Sequence, residues 1–557
     1  MSQPEPIMTA FTSILTSQDS EEIEFPLPKA LWTQYSPSFE AFDAWAKNHR
    51  QHQTEAIEAI RNNQSGQISM PTATGKTRVQ IHAHVEQLIN NTKNGKFGVH
   101  VIASHRLALN HQLLNELLNV IVNSGIPFDT LFIGTDRFSD DQIHARFRNK
   151  GLNKYNNEST STTRGEEVLT AYNKAISRNR HLIVVSTYHS FDRLKVLPQI
   201  EMCTYDEAHT LVGESFLDNV KEVLPKISRN YFFTATRKVR GLVGGMNNEE
   251  IFGKIIYETS PRHMIDVSEI VPPRLHIIDT VDEGDYSNHT MIVKAVITGV
   301  NQHRYLIKQY SSTPDSIGAK LLVTTTGNKE LMELHADPLF QQYCRDEGIQ
   351  TFAYSSEYGA FHNFENKDRQ AAVAAMQGLN DSSDAIIMHI DILTEGIDLP
   401  SITGVMPFRE LNSVKLLQTI GRSARLLKDD RVALYSGNIL PKQYENFIKP
   451  YCWLVVPRFF KSLGDFNTMK NTLKNIINSY EIPVEEYTIL DRFKAIKEGS
   501  VGRITERDKC GKDKETDLVY VIEDIINEKV SEMNSIDIPI QSLGSYFEIK
   551  AKEIKNA

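Results

Sequence analysis

One turn constrains this chain more than any other stretch: Met70-Pro71-Thr72-Ala73-Thr74-Gly75-Lys76-Thr77. Before it, Gln67-Ile68-Ser69 reads as the end of a strand; after it, Arg78-Val79-Gln80-Ile81-His82-Ala83-His84 opens a helix. A strand-to-helix turn ending in Gly-Lys-Thr is the phosphate-binding P-loop. Its backbone N–H groups and the helix N-terminus face the phosphates, the lysine reaches the β- and γ-phosphates, and the next hydroxyl binds Mg²⁺. Thr74, Gly75, Lys76 and Thr77 are therefore candidate nucleotide contacts, with Thr77 also a candidate Mg²⁺ ligand. Met70 stands at the usual first glycine, so the G-x-x-x-x-G-K-S/T pattern is half met, and Gly-Lys-Thr alone recurs by chance. Partners downstream must decide.

The chain around this turn alternates. Apolar runs at 98–103, 130–134, 181–188, 202–205 and 231–233 are separated by helix-forming sequence, which predicts a parallel α/β sheet. A helix is expected over 39–62, carrying Gln53, whose amide can both donate to and accept from an adenine edge. Residues 151–167, Asn-rich and then Ser159-Thr160-Ser161-Thr162-Thr163, read as an exposed loop. Pro272-Pro273 and the acidic residues 282–285 mark a boundary, after which a second α/β series runs through 319–326, 350–354, 385–390 and 404–407. The expected layout is a flexible leader over 1–40, α/β domains over 41–275 and 276–458, and a mainly helical region over 459–557.

Composition excludes several classes. At 557 residues the chain is long enough for more than one core, and its 40% apolar and 24% charged content is that of a globular protein. A net charge of −9 excludes a generally basic nucleic-acid coat, so any such binding must use a local positive groove. Cys203, Cys344, Cys452 and Cys510 form no CxxC pair, which argues against a disulfide or zinc framework and for a reducing interior. No run of 18 apolar residues suggests a membrane span, and the acidic, polar N-terminus lacks a basic region before an apolar core. An intracellular protein is expected.

The partners of the turn follow in order. Asp206-Glu207 ends an apolar strand, where one carboxylate completes a Mg²⁺ shell and its neighbour activates water in P-loop enzymes; helix capping is the alternative use of such a pair. Together, Asp206-Glu207-Ala208-His209, Thr234-Ala235-Thr236, Thr394-Glu395-Gly396-Ile397-Asp398-Leu399-Pro400 and Gln418-Thr419-Ile420-Gly421-Arg422-Ser423-Ala424-Arg425 resemble motifs II, III, V and VI of superfamily 2 helicases. The resemblance spans roughly residues 45–430. It implies two tandem RecA-like parallel-sheet domains, here with a helical C-terminal extension, and ATP with Mg²⁺ as cofactors. By that resemblance Gln53 reads adenine, Lys76 and Thr77 hold phosphate and Mg²⁺, Asp206 serves the metal, and Glu207 activates water. Arg422 and Arg425 reach the γ-phosphate from the second domain, and a cation there stabilises transition-state charge.

The same resemblance gives Thr234, Thr236 and Gln418 a coupling role and places Gly396 and Asp398 near the ribose. Ser104-His105-Arg106, Ser186-Thr187 and Thr324-Thr325 resemble the loops that follow a nucleic-acid backbone without reading its sequence. Ser-His-Arg-Leu-Ala and Thr-Ala-Thr differ from the motifs of DEAD-box RNA helicases. Residues 251–257, with Met264-Ile265 and Ile270-Val271-Pro272-Pro273, resemble the end of domain one in type I restriction and repair translocases. DNA is therefore the expected partner. The alternatives are a DEAH-type RNA helicase and a silent nucleic-acid-binding subunit, with the C-terminal region available to a protein partner. Asp537 and Glu548-Ile549-Lys550 echo a nuclease carboxylate pair, but the segment is too short for that domain and no nuclease is expected.

Overall fold

The structure is a computed structural model that describes residues 42–121, 126–134, 159–212, 214–240, 244–279, 288–355, 357–390, 401–408, 413–458 and 535–539. Contacts divide the chain into two units, Met1–Met70 with Gly75–Glu258, and Pro71–Thr74 with Thr259–Ala557.

The first unit is built on an eight-stranded sheet. Its strands are β1 (Ser65–Ser69), β2 (Val99–Ser104), β3 (Phe128–Ile133), β4 (Ser159–Thr162), β5 (His181–Thr187), β6 (Met202–Tyr205), β7 (Asn230–Thr234) and β8 (Ile255–Glu258). Their order is β8-β1-β7-β6-β2-β5-β3-β4, and every pairing is parallel. The inner strands are buried along their whole length, as continuous apolar runs require when helices cover both faces. One layer packs Val101, Val184, Phe191 and Tyr205; the opposite layer packs Ile81, Val85, Leu117 and Ile183. Helices α1 (Gln51–Asn62), α2 (Lys76–Lys93) and α3 (Leu107–Ile121) position the site.

Two expectations change here. The helix expected over 39–62 breaks after a short turn at 42–46 and restarts at Gln51, with Arg50 as an extended N-cap. The Ser/Thr stretch expected as loop contains β4, an edge strand in parallel register with β3 (Thr130 opposite Ser159, Ile133 opposite Thr162). Hydroxyl-bearing β-branched residues suit an edge that only half buries its side chains.

The second unit has a nine-stranded sheet. Its strands are β9 (Pro273–Asp279), β10 (Lys320–Thr324), β11 (Gln350–Ser355), β12 (Gly359–His362), β13 (Glu365–Lys367), β14 (Ala385–His389), β15 (Gly404–Pro407), β16 (Cys452–Arg458) and β17 (Ser535–Pro539). The order is β13-β12-β11-β14-β10-β15-β16-β9-β17. The pairings from β11 through β9 are parallel; β12, β13 and β17 pair antiparallel at the two edges. The core packs Leu321, Val323, Phe340, Ile386 and Trp453.

The units divide at Glu258/Thr259, earlier than the proline pair. The intervening residues belong to the second unit by hydrogen bonds: Val271 N–H to Ala424 O at 2.8 Å, and the Tyr444 hydroxyl to Ile265 O at 2.7 Å. Of residues 459–557, expected to be mainly helical, only 535–539 are described, and they form β17 along β9, with His276 opposite Asp537. The leader and Glu548-Ile549-Lys550 lie outside the described residues.

Candidate functional site

The turn after β1 is cradle-shaped. Ala73 has φ 74° and Gly75 φ 88°, both left-handed, and successive backbone N–H groups in such a turn form an anion-binding nest. A methyl-bearing residue at that φ costs about 1–2 kcal/mol, so Ala73 holds the loop under strain. Gly75 caps α2, and a Cβ there would lie 2.3 Å from the Gln53 amide nitrogen. The left-handed φ favours glycine, and any side chain there would also push the Gln53 amide aside. The Gln53 Oε1 accepts from the Arg50 N–H at 3.1 Å, which turns the amide nitrogen toward Gly75. Thr74 donates its hydroxyl to Pro71 O at 2.7 Å, and Lys76 Nζ donates to Met70 O at 3.2 Å. Arg78, on the first turn of α2, ties in the chain before α1. It donates to Trp45 O at 2.6 Å and to His49 Nδ1 at 2.8 Å while stacking 4.3 Å from the Trp45 ring.

Asp206, buried, and Glu207, partly buried, follow β6. Burial and the adjacent Glu207 carboxylate push the Asp206 carboxyl up to about 6. Burial also works against ionised Glu207, but Lys76, His209 and His105 outweigh it and hold its carboxyl below the usual range. One of the pair is therefore held as a firm carboxylate beside Lys76. Glu207 sits at φ 51°, left-handed and strained for a side chain of its size. The Gln80 amide donates to Asp206 Oδ1 at 2.7 Å, and the Tyr188 hydroxyl donates to Asp206 O at 2.6 Å.

His209 joins this pair to the next strand end. Its Nδ1 lies 3.3 Å from Glu207 Oε2 and 3.0 Å from Thr234 Oγ1. The Thr234 hydroxyl already donates to Thr236 O at 2.8 Å, so Nδ1 carries the proton and donates to Thr234 Oγ1, with Glu207 Oε2 alongside at ion-pair distance. Thr236 N–H returns a bond to Thr234 Oγ1 at 3.1 Å, while Thr236 Oγ1 is buried without a hydrogen-bond partner among the described residues. The roles of Gln80, His209 and Tyr188 were not read from the sequence. A polar residue one helical turn after Lys76 was the available signal for Gln80.

The hydroxyl-bearing residues of the loops expected to follow a nucleic-acid strand are largely buried. Ser104, Ser186, Thr324 and Thr325 are all 0% exposed. Ser104 Oγ lies 3.0 Å from Arg106 O and 2.7 Å from Asn110 Oδ1; Ser186 Oγ donates to Thr187 O at 3.0 Å. Thr187 faces Ser190 Oγ at 3.4 Å, and Thr325 faces Gly327 O at 3.3 Å. Thr324 Oγ1 has no partner among the described residues. These hydroxyls shape their own turns. His105 and Arg106 remain partly exposed beside them.

In the second unit, α4 (Ser413–Ser423) carries Gln418 and Arg422 one turn apart, and Arg425 follows the helix. Gln418 and Arg422 are buried, and Gln418 Nε2 has no hydrogen-bond partner among the described residues. Arg425 pairs with Ile270 in a β-bridge, and its carbonyl accepts from Lys449 Nζ at 2.5 Å. Lys449 also donates to Ile402 O at 2.9 Å; burial lowers its ammonium to about 8. Gly396 and Asp398 lie outside the described residues.

A nested P-loop on a parallel sheet, facing a strand-end carboxylate pair, with a second parallel-sheet unit after it, defines a tandem RecA-like P-loop protein. Residues 50–242 match the DEAD/DEAH box helicase family. That match covers part of the chain and agrees with the motif resemblance of this stretch to superfamily 2 helicases. The chain is 23% identical over 320 residues to the UvrABC system protein B of Kosmotoga olearia, covering 53% of this chain and 44% of that protein. The chain thus spans less than half the length of that curated relative. Among solved structures it resembles the ATP-dependent Type ISP restriction-modification enzyme LlaBIII bound to DNA. The TM-score is 0.54 and the identity 16%, over 86% of this chain and 35% of that one. It also resembles S. cerevisiae Dbp5 bound to RNA and ADP BeF3, with TM-score 0.47 and identity 12%, over 82% and 92% of the two chains.

The residues present fit a Mg²⁺ nucleotide. The nest and Lys76 suit an anionic phosphate chain, and the buried carboxylate pair suits a cation that the phosphates bring with them. Among the described residues no group of three or more His, Cys, Asp or Glu is placed to hold a metal unaided, and no helix is long and apolar enough to cross a membrane.

Proposed function

We propose that this chain is an ATP-driven motor on nucleic acid, with DNA as its track. The observation that carries the reading is the contact chain from the P-loop through Asp206 and Glu207 to His209, Thr234 and Thr236. It links the place where phosphate would bind to the loop after β7. Bound Mg²⁺ would supply charge neutralisation of the phosphates. The remaining steps fall to this chain's own residues. Gln53 and the turn 74–77 bind the nucleotide, and Lys76 leaves Met70 O to reach the phosphates. Glu207, held ionised, takes the proton of the attacking water. His209 senses the Glu207 carboxylate and passes its position to Thr234, and through the Thr234–Thr236 turn to the chain beyond. Arg422 and Arg425 add positive charge at the transferring phosphoryl group when ATP closes the two domains, and hydrolysis releases that closure.

DNA is favoured by residues 251–273, which resemble restriction and repair translocases, and by likeness to a solved structure titled a restriction-modification enzyme bound to DNA. The test is steady-state ATP hydrolysis by the purified chain, alone and with single-stranded DNA, duplex DNA, forked DNA or RNA. Lys76→Ala serves as the blank. Stimulation by a DNA form supports the reading and names the track. Stimulation by RNA alone overturns the choice of DNA, and turnover equal to that of Lys76→Ala overturns the motor.

A further inference from the structure

The P-loop helix aims a second side chain at the carboxylate pair. Gln80 lies about one turn beyond Lys76 on α2, is 1% exposed, and donates from Nε2 to Asp206 Oδ1 at 2.7 Å. An ionised carboxylate only accepts hydrogen bonds, so the amide must present its NH₂ to Asp206. Its oxygen is then left in the interior, buried and without a hydrogen-bond partner among the described residues. A buried unpaired amide oxygen costs about 1–3 kcal/mol, and an aliphatic side chain would avoid that cost between the apolar neighbours Val79 and Ile81. What the position gains from glutamine is the bond to Asp206. The other bonds to this residue engage its backbone: Asp206 N–H to Ala103 O at 2.8 Å, and the Tyr188 hydroxyl to its carbonyl. Among the described residues, Gln80 alone hydrogen-bonds the carboxylate itself.

We propose that Gln80 is a positioning residue for the metal-binding carboxylate: it tethers one Asp206 oxygen to the P-loop helix and leaves the other for the Mg²⁺ that accompanies the nucleotide. The proposal rests on the reading of Asp206 as the metal carboxylate. A neutral donor suits the task. A lysine or arginine in the same place would fix the rotamer but compete with the metal for its charge. The tether also makes one rigid body of the element that grips the phosphates and the residue that meets their cation. Groups that orient a metal ligand change metal affinity by about 10–100-fold when removed.

The test compares wild type, Gln80→Met and Gln80→Asn by the affinity of a fluorescent ATP analogue, first in EDTA and then across a Mg²⁺ titration. Methionine keeps the length and packing without the donor; asparagine keeps the amide but falls short of Asp206. The expected result for both is metal-free affinity within about twofold of wild type, an unchanged melting temperature, and about tenfold more Mg²⁺ needed for half-maximal tightening. Wild-type Mg²⁺ dependence in either variant overturns the tether. A loss of metal-free affinity equal to the loss with Mg²⁺ also overturns it, because a general packing defect predicts that pattern. Wild type that gains nothing from Mg²⁺ overturns the Asp206 reading itself, a failure visible before any variant is made.

Discussion

The candidate nucleotide pocket and the loops proposed to track a strand are built from the same material, polar side chains buried near the carboxyl ends of parallel strands, yet they use it oppositely. In the pocket the groups face one another across elements: Gln80 on α2 meets Asp206 after β6, and His209 meets both Glu207 and Thr234 at the end of β7. In the loops each hydroxyl faces its own turn, as Ser104 does toward Arg106 and Ser186 toward Thr187. Side chains that bridge elements can carry chemistry and its coupling. Side chains that close their own turn shape a backbone, and that backbone, with neighbours such as Arg106, is what a repeating phosphate chain would meet.

The sharpest way to break this contrast is to remove a charge from the proposed hydrolytic machinery. Arg425→Ala is expected to cut ATP turnover by about a thousandfold or more while nucleotide affinity is largely kept, since a transition-state cation is worth that much. Turnover within tenfold would remove Arg425 from the reaction. In the loops, Ser104→Ala is expected to lower unfolding free energy by about 1 kcal/mol and to change nucleic-acid-stimulated turnover less than tenfold. A collapse of stimulation with stability intact would return the side chain to direct contact.

Acid separates scaffold from site. His84, on α2, and His100 and His181, on β2 and β5, lie buried in the first unit, and burial lowers His84 and His181 to about 3 and His100 well below its ordinary value. Neutral in the folded chain, they protonate first in the unfolded one. Their stability is complete above the ordinary histidine value of about 6.5 and is lost as pH falls toward about 3. Each removes about 1.4 kcal/mol per pH unit in that window; the raised carboxyl of Asp206 works the other way, one group against three. Denaturant unfolding should therefore show a clear loss of stability between about pH 7 and 5.5. A flat profile contradicts the neutral buried cluster. The smallest effect is expected for Ala73→Gly, which relieves the left-handed strain and raises stability by at most about 1 kcal/mol. A loss of stability would show that the methyl group packs usefully.

The parallel sheets were legible because their strands are short continuous apolar runs. Met202–Tyr205 and Gly404–Pro407 fall where those runs place them. The P-loop was legible because its chemistry is local in sequence. What escaped was non-local. Ser159–Thr162 has no apolar signal and is a strand only because β3 offers it an edge, and Ser535–Pro539 finds β9 from far along the chain. The inward turn of Ser104 and Thr325 depends on which face a strand end presents, and Gln80 looks like any polar helix residue until Asp206 is folded against it.

Glu207 is proposed to activate water on a nucleotide gripped by the P-loop. Single-turnover hydrolysis of radiolabelled ATP by excess protein, wild type beside Glu207→Gln, tests it most directly. The expected result is retained nucleotide binding in both and phosphate release slowed by about a hundredfold or more in the variant. Equal rates of cleavage in the two proteins would contradict it.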